Sequence, residues 1–313
     1  MPENNNYDIA IVGSGPAGYS ASIYASRYKL SNIVFGKIIG GTITEAHKVC
    51  NYPGMPDVSG IDLGYKFHEQ AKEEGGQYST ESIVDIKKEG KIFKLLTDKN
   101  NEYTARAVVL ATGTERNKLV IPKEEEYVGK GLSYCVTCDA MFCKDKTVVV
   151  VGGSNAATMA ATMLSDIAKQ VYIVYRGTEL RGELAWIQEI QSKKNIVTIF
   201  QTLIVGLEGE PRLQRVKLSK PFNGSEYLDT DGVFVEIGSE PNITLPVKLG
   251  LKLDRQNYIE VNNTQATSIE GIWAAGDCTT NSNKFKQVVT ATSEGAVAAN
   301  AIYSYLKEST YPH

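Results

Sequence analysis

Apolar positions fall into short branched runs that stop at glycine. Tyr7–Val12 (YDIAIV) ends at Gly13-Ser14-Gly15-Pro16-Ala17-Gly18, and a helical pattern follows from Ala17 to about Lys29. Thr147–Val151 ends at Gly152-Gly153-Ser154-Asn155-Ala156-Ala157, 139 residues later (Gly13 to Gly152), and a helix is expected to about Ala168. Each reads as strand, glycine-rich turn and helix, with further strands at Asn32–Phe35 and Val171–Tyr175. Ala107–Gly113 (AVVLATG), Gly232–Asn242 (GVFVEIGSEPN) and Gly271–Asp277 (GIWAAGD) complete the apolar set.

Two such units predict an α/β chain of two doubly wound, Rossmann-like nucleotide-binding domains, the second inserted in the first. The outer domain is drawn as residues 1–116 and 243–313, the insertion as 117–242, with the polar stretch 114–122 as a linker. The acidic patch Lys123–Glu126 reads as a solvated turn. A length of 313 residues suits about two domains.

Composition narrows the class. The chain is 42% hydrophobic and 22% charged, ordinary for a globular protein. With 33 basic and 36 acidic residues there is no basic excess to suggest nucleic acid. The longest run of valine, leucine and isoleucine, Val148–Val151, is far below the roughly 18 apolar residues of a spanning helix. Met1–Asn6 has neither a basic nor an apolar leader region, so no membrane association and a cytoplasmic address are expected.

The first glycine motif points to a dinucleotide. Gly13 makes the tight turn, Gly15 admits a phosphate and Gly18 lets helix and strand approach. The strand Asn32–Phe35 ends in Phe35-Gly36 with no acid for a ribose hydroxyl, which argues against plain NAD at this turn.

The cysteines are Cys50, Cys135, Cys138, Cys143 and Cys278. Cys135 and Cys138 form a C-x-x-C, suited to a redox disulfide, with Asp139 placed to pass protons during exchange. A structural zinc site and a fortuitous pair are the alternatives, and zinc lacks a second pair. No metal is expected. Cys50, Cys143 and Cys278 read as packing residues. Trp186 and Trp273 read as core or interface, and Tyr19, Tyr24 and Tyr28 as packing from one helix face.

Together GSGPAG (13–18), GGTIT (40–44), CNYPG (50–54), ATG (111–113), CVTCDA (135–140), GVFVEIGSEPN (232–242), AAGDC (274–278) and KQVVTATSEG (286–295) make the chain resemble the low-molecular-weight thioredoxin reductases over nearly its whole length. No histidine lies between His68 and His313, unlike the pattern of glutathione-reductase-like enzymes with a catalytic C-terminal histidine. The resemblance implies FAD in the discontinuous domain. Gly13, Ser14, Gly15, Pro16, Ala17 and Gly18 would hold its pyrophosphate. Gly40, Gly41, Thr42, Asn51, Thr112 and Gly113 would lie along it. Gly276 and Asp277 would meet the ribityl–phosphate region, and Lys286, Gln287 and Val288 the flavin ring. It further implies a Cys135–Cys138 disulfide reduced through the flavin, a thioredoxin-like dithiol protein as partner, and a homodimer.

The second glycine motif departs from the family. Ser154 stands where NADPH-using members carry glycine, and Asn155 replaces an acid. The arginine set that grips the 2′-phosphate reads Tyr175-Arg176-Gly177 and then Arg181. The binding set Gly152, Gly153, Ser154, Asn155, Arg176 and Arg181 therefore leaves NADPH, NADH or a non-pyridine donor such as reduced ferredoxin open. A dithiol oxidase passing electrons to oxygen is a further alternative. Glu294 stands where the family often has a small residue, and nothing in the sequence accounts for it.

Overall fold

The structure, a computed structural model, describes residues 5–308. The chain divides into two units, residues 1–115 with 241–313, and residues 116–240. The two crossing segments, Thr114–Arg116 and Ser239–Pro241, pair as a two-stranded sheet.

In the first unit five strands run parallel in the order Gln77–Ser79, Asn32–Phe35, Asn6–Val12, Glu102–Leu110, Ile272–Ala274. The period-two rule sorts their side chains. Ile9, Ile11, Val34, Ala107, Val109 and Trp273 join one core, and Ala10, Val12, Ile33, Phe35, Val108, Leu110 and Ile272 join the other. The helices Pro16–Arg27, Gly60–Glu73 and Val288–Glu308 supply residues to the first core. Pro16–Arg27 and Val288–Glu308 meet through small residues, and a Cβ on Gly295 would lie 2.1 Å from the Ala17 carbonyl oxygen. The antiparallel hairpin Ile83–Glu89 and Ile92–Thr97 extends the sheet.

In the second unit five strands run parallel in the order Ile196–Ile199, Gln170–Val174, Thr147–Val151, Gly232–Val235, Leu132–Ser133. A three-stranded antiparallel sheet, Ile204–Glu208, Arg215–Phe222 and Ser225–Asp229, covers part of its core.

Several expectations need correction. The apolar stretch from Ala107 is the second half of a strand beginning at Glu102, because residues 102–105 pair with the hairpin while 108–110 pair with Ile272–Ala274. The second glycine-turn helix is Asn155–Ser165, ending short of Ala168. Lys123–Glu126 is not a solvated turn. A helix spans Glu124–Tyr127, and Glu124 is buried. Tyr19, Tyr24 and Tyr28 do not share a face. Tyr19 is buried, Tyr24 is exposed, and Tyr28 stacks on Tyr303 at 4.7 Å. At 100° per residue, five positions turn the helix 140°. Cys50 is exposed rather than packed, whereas Cys143 and Cys278 are buried in cores. Residues 1–4 of the N-terminal reading, and His313, lie outside the described residues.

Candidate active site

The strands Asn6–Val12, Glu102–Leu110 and Ile272–Ala274 are parallel neighbours, so the turns after them gather at one end of the first sheet. The first of these turns is the glycine motif. Gly13 has φ +122°, and a Cβ there would lie 2.0 Å from the Ala111 oxygen. A Cβ on Gly18 would lie 1.9 Å from the Gly13 oxygen. Gly15 differs, because a Cβ there would meet nothing nearer than the Gly40 oxygen at 3.9 Å. The helix Pro16–Arg27 begins at Gly15 without a side-chain cap. Open space before an uncapped helix start fits a diphosphate, whose oxygens satisfy the first-turn N–H groups.

The other residues expected at this cofactor lie in the same unit. Gly40 and Gly41 are both left-handed, and a Cβ on Gly41 would lie 3.1 Å from Gly15 Cα. Thr42 sits in the short helix Gly41–Glu45. Thr112 and Gly113 follow the strand Glu102–Leu110. Gly276 has φ +84°, and its Cβ position lies 2.9 Å from Ala17 Cβ. Asn51 Nδ2 donates to Gln287 Oε1 at 2.9 Å, which joins the CNYPG and KQVV motifs. The Lys286 ammonium lies 5.3 Å from the Tyr258 ring centre, and Val288 starts the last helix. The missing acid after Phe35 has a steric reason: a Cβ on Gly36 would lie 2.1 Å from Ser14 Oγ.

Burial raises the Asp277 carboxyl to about 6. Glu294 adds to the shift and Lys286 opposes it. Burial likewise raises the Cys278 thiol to about 11, so it stays a thiol.

In the second unit Cys135 and Cys138 are joined as a disulfide, Cα atoms 5.3 Å apart. The Cys138 N–H donates to Cys135 Sγ at 3.2 Å, and Ser133 Oγ accepts from the Cys135 N–H at 3.0 Å. Asp139 closes the short helix Val136–Asp139. Sequence reasoning missed Met141 and Phe142, which stand 72% and 69% exposed just after it. Two large adjacent apolar side chains beside a redox pair were the available signal. It also missed Glu124, whose carboxylate accepts from the N–H groups of Leu119 (2.9 Å), Val120 (2.6 Å) and Ile121 (3.3 Å) and from the Tyr134 hydroxyl beside Cys135. Burial alone would raise its pKa, yet these four donors hold it below the ordinary range.

The second glycine turn keeps the backbone of the first. Gly152 has φ +139°, and its N–H donates to Val174 O as the Gly13 N–H does to Phe35 O. Its surroundings differ. The Tyr175 ring lies on Gly153, where a Cβ would come within 2.5 Å, and on Gly177, within 2.6 Å. The Arg181 N–H donates to Gly153 O at 2.6 Å. Asn155 Oδ1 accepts from the Glu183 N–H at 2.6 Å, and its Nδ2 donates to Glu183 Oε1 at 3.1 Å. Ser154, Arg176 and Arg181 are exposed. Among the described residues no three His, Cys, Asp or Glu side chains form a metal-holding group. None of the described helices is long and apolar enough to cross a membrane.

The family model for pyridine nucleotide-disulphide oxidoreductases matches residues 7–295. A thioredoxin reductase of Peptoclostridium litorale is 37% identical, covering 97% of this chain and 98% of its own length. The crystal structure of T. acidophilum thioredoxin reductase superposes with a TM-score of 0.90 at 35% identity, over 97% of this chain and 99% of that one. A ferredoxin-flavin thioredoxin reductase from Clostridium acetobutylicum is 33% identical over 96% of this chain and 98% of its own, with a TM-score of 0.52.

Proposed function

The chain belongs to the pyridine nucleotide-disulphide oxidoreductases, among the low-molecular-weight thioredoxin reductases, and on that premise we propose that its electrons come from a reduced ferredoxin-like protein rather than NAD(P)H. The protein is an FAD-dependent disulfide reductase acting through Cys135 and Cys138. The observation that carries the donor reading is the second glycine turn. There Tyr175 lies over Gly153 and Gly177, the segment at Arg181 and Glu183 is tied to Gly153 and Asn155, and Ser154 adds a side chain at the phosphate approach. The likeness to the ferredoxin-flavin enzyme of Clostridium acetobutylicum supports the same donor class.

In this reading Gly13–Gly18, Gly40, Gly41, Thr42, Asn51, Thr112, Gly113, Gly276, Asp277, Lys286, Gln287 and Val288 hold FAD. When bound, FAD supplies a two-electron carrier between the donor and the Cys135–Cys138 pair. The opened pair then reduces the partner by exchange. One thiolate attacks a sulfur of the partner disulfide, a mixed disulfide forms, and the second thiolate displaces the partner as a dithiol while the Cys135–Cys138 bond re-forms. Two electrons leave this chain, and Asp139 carries protons between the leaving thiols and water. The Cys138 N–H aimed at Cys135 Sγ stabilises charge on that sulfur. Exposed Met141 and Phe142 support docking of a protein partner here, thioredoxin being the class implied by the relatives. The reading includes a homodimer and the cytoplasm. Three free cysteines support a reducing compartment.

The test is anaerobic absorbance of the holoprotein titrated separately with NADPH, NADH and reduced ferredoxin. The flavin band is expected to bleach with reduced ferredoxin alone, once enough is added to supply two electrons to each FAD and two to each Cys135–Cys138 disulfide. Cys135→Ser is expected to bleach likewise but to turn over no thioredoxin. Stoichiometric bleaching by NADPH would show that Arg176 and Arg181 suffice and would overturn the donor reading. Oxygen uptake driven by a dithiol would reverse the direction of flow.

A further inference from the structure

Glu294 on the last helix is a buried acid that the chemistry above does not use. It is 5% exposed, and among the described residues the donors it meets come from one segment, Gly276–Ser282. Oε2 accepts from the Gly276 N–H at 2.8 Å and from the Thr279 hydroxyl at 3.0 Å, and Oε1 accepts from the Ser282 hydroxyl at 2.5 Å. The Thr279 hydroxyl is shared with Gly276 O at 3.1 Å.

The clamped segment begins and ends in left-handed backbone. Gly276 is left-handed, and so are three consecutive residues with side chains, Ser282 (φ 48°), Asn283 (φ 52°) and Lys284 (φ 56°). Each non-glycine residue there costs on the order of 1 kcal/mol or more. The far end is tied down as well, since the Lys284 ammonium donates to Asp254 and to Gln256 Oε1. Glu294 is itself fixed, because its neighbour Gly295 sits hard against the Ala17 carbonyl at the end of the first glycine motif. The Glu294-Gly295 pair thus registers residues 276–282 against residues 13–18, two arms of a cradle far apart in sequence.

We propose that Glu294 is a positioning residue for FAD: it holds the Gly276–Ser282 segment in the shape that presents Gly276 and Asp277 to the cofactor. The inference rests on the cofactor reading above. A buried charge is costly, and a small residue here would leave the Gly276 N–H unpaired. Three hydrogen bonds to one segment offset that cost, and they act on the segment that carries Asp277.

The test is FAD rebinding to stripped apoprotein, followed by flavin fluorescence, with thermal unfolding of each apoprotein as the fold control. Glu294→Ala is expected to weaken FAD by about 10- to 100-fold, the range set by losing charge-assisted hydrogen bonds. Glu294→Gln is expected to bind within about threefold of wild type, because its oxygen serves Gly276 and Thr279 while the Ser282 hydroxyl turns to accept from its amide. Glu294→Asp keeps the charge but retracts it by one methylene. It is expected to fall between the two, and it decides the matter if the alanine variant fails to fold. The inference is overturned if the alanine variant, or the aspartate variant in its place, binds FAD as tightly as wild type. It is overturned too if the glutamine variant is as weak as the alanine one. If the wild-type apoprotein itself takes up no FAD, the cofactor reading falls instead.

Discussion

Asp277 and Glu294 show what a residue's type discloses and what it hides. Asp277 was legible because it ends an AAGD motif. Its energetics were not, because they depend on burial and on Glu294, 17 positions along the chain. With its pKa raised to about 6 from an ordinary 3.8, Asp277 keeps its proton to a higher pH in the folded apoprotein than in the unfolded chain. Below pH ~4 both folded and unfolded chains hold the proton and the residue costs nothing. As pH rises from ~4 to ~6 only the unfolded chain releases it, so stability is lost, by about 2–3 kcal/mol in total. Asp277→Asn has no proton to release. Urea midpoints of the two apoproteins should agree near pH 4, diverge in favour of the variant up to pH 6, and run parallel above. Parallel curves throughout would mean that Asp277 is solvated. Glu294 stood out in the sequence only as a departure from the family pattern, with no role legible there. Its partners Gly276, Thr279 and Ser282 lie 12 to 18 positions away and meet it only in the fold.

At the scale of elements, the branched runs ending in glycine told where the parallel strands lie, because a strand buried on both faces must be apolar throughout. The antiparallel pieces were silent. Ile83–Glu89 carries four charges in seven residues, and its pairing is set by a hairpin rather than by burial. The short helix Glu124–Tyr127 was misread for a related reason. Its three glutamates look alike in sequence, yet Glu124 is buried under three backbone N–H groups while Glu125 and Glu126 face solvent. Those contacts hold Val120 in a left-handed conformation, φ 57°, unusual for a β-branched residue. Glu124→Gln turns an amide toward backbone donors and is expected to cost about 1–3 kcal/mol in urea unfolding. Glu126→Gln should stay within about 0.5 kcal/mol of wild type. Equal midpoints for the two variants would show that the Leu119–Ile121 loop holds its shape without the carboxylate. The two glycine turns make the matching case for function. Gly13 and Gly152 share a conformation, and sequence found both, but only the fold shows the Tyr175 ring lying on the second.

For the whole molecule, the insertion separates two sets of cores. The clusters around Ile11 and Val108 draw only on residues of the first unit, and those around Val150 and Val233 only on the second. Every residue assigned to FAD lies in the first. A ligand that binds only folded protein stabilises what it binds by RT ln(1 + [L]/Kd), about 2.7 kcal/mol at 100 times Kd. Saturating FAD should therefore raise the unfolding midpoint of the first unit and leave that of the second in place. The two tryptophans separate the units without added labels, Trp273 in the first core and Trp186 on the helix Leu184–Ser192 of the second unit. Trp186→Phe leaves Trp273 as reporter, and its emission should follow a transition that moves up with FAD. Trp273→Phe leaves Trp186, whose transition should stay within about 1 kcal/mol as FAD is varied at constant protein. A Trp186 transition that rises in step with that of Trp273 would mean that the units unfold as one cooperative body. FAD would then stabilise the redox disulfide's unit as well as its own.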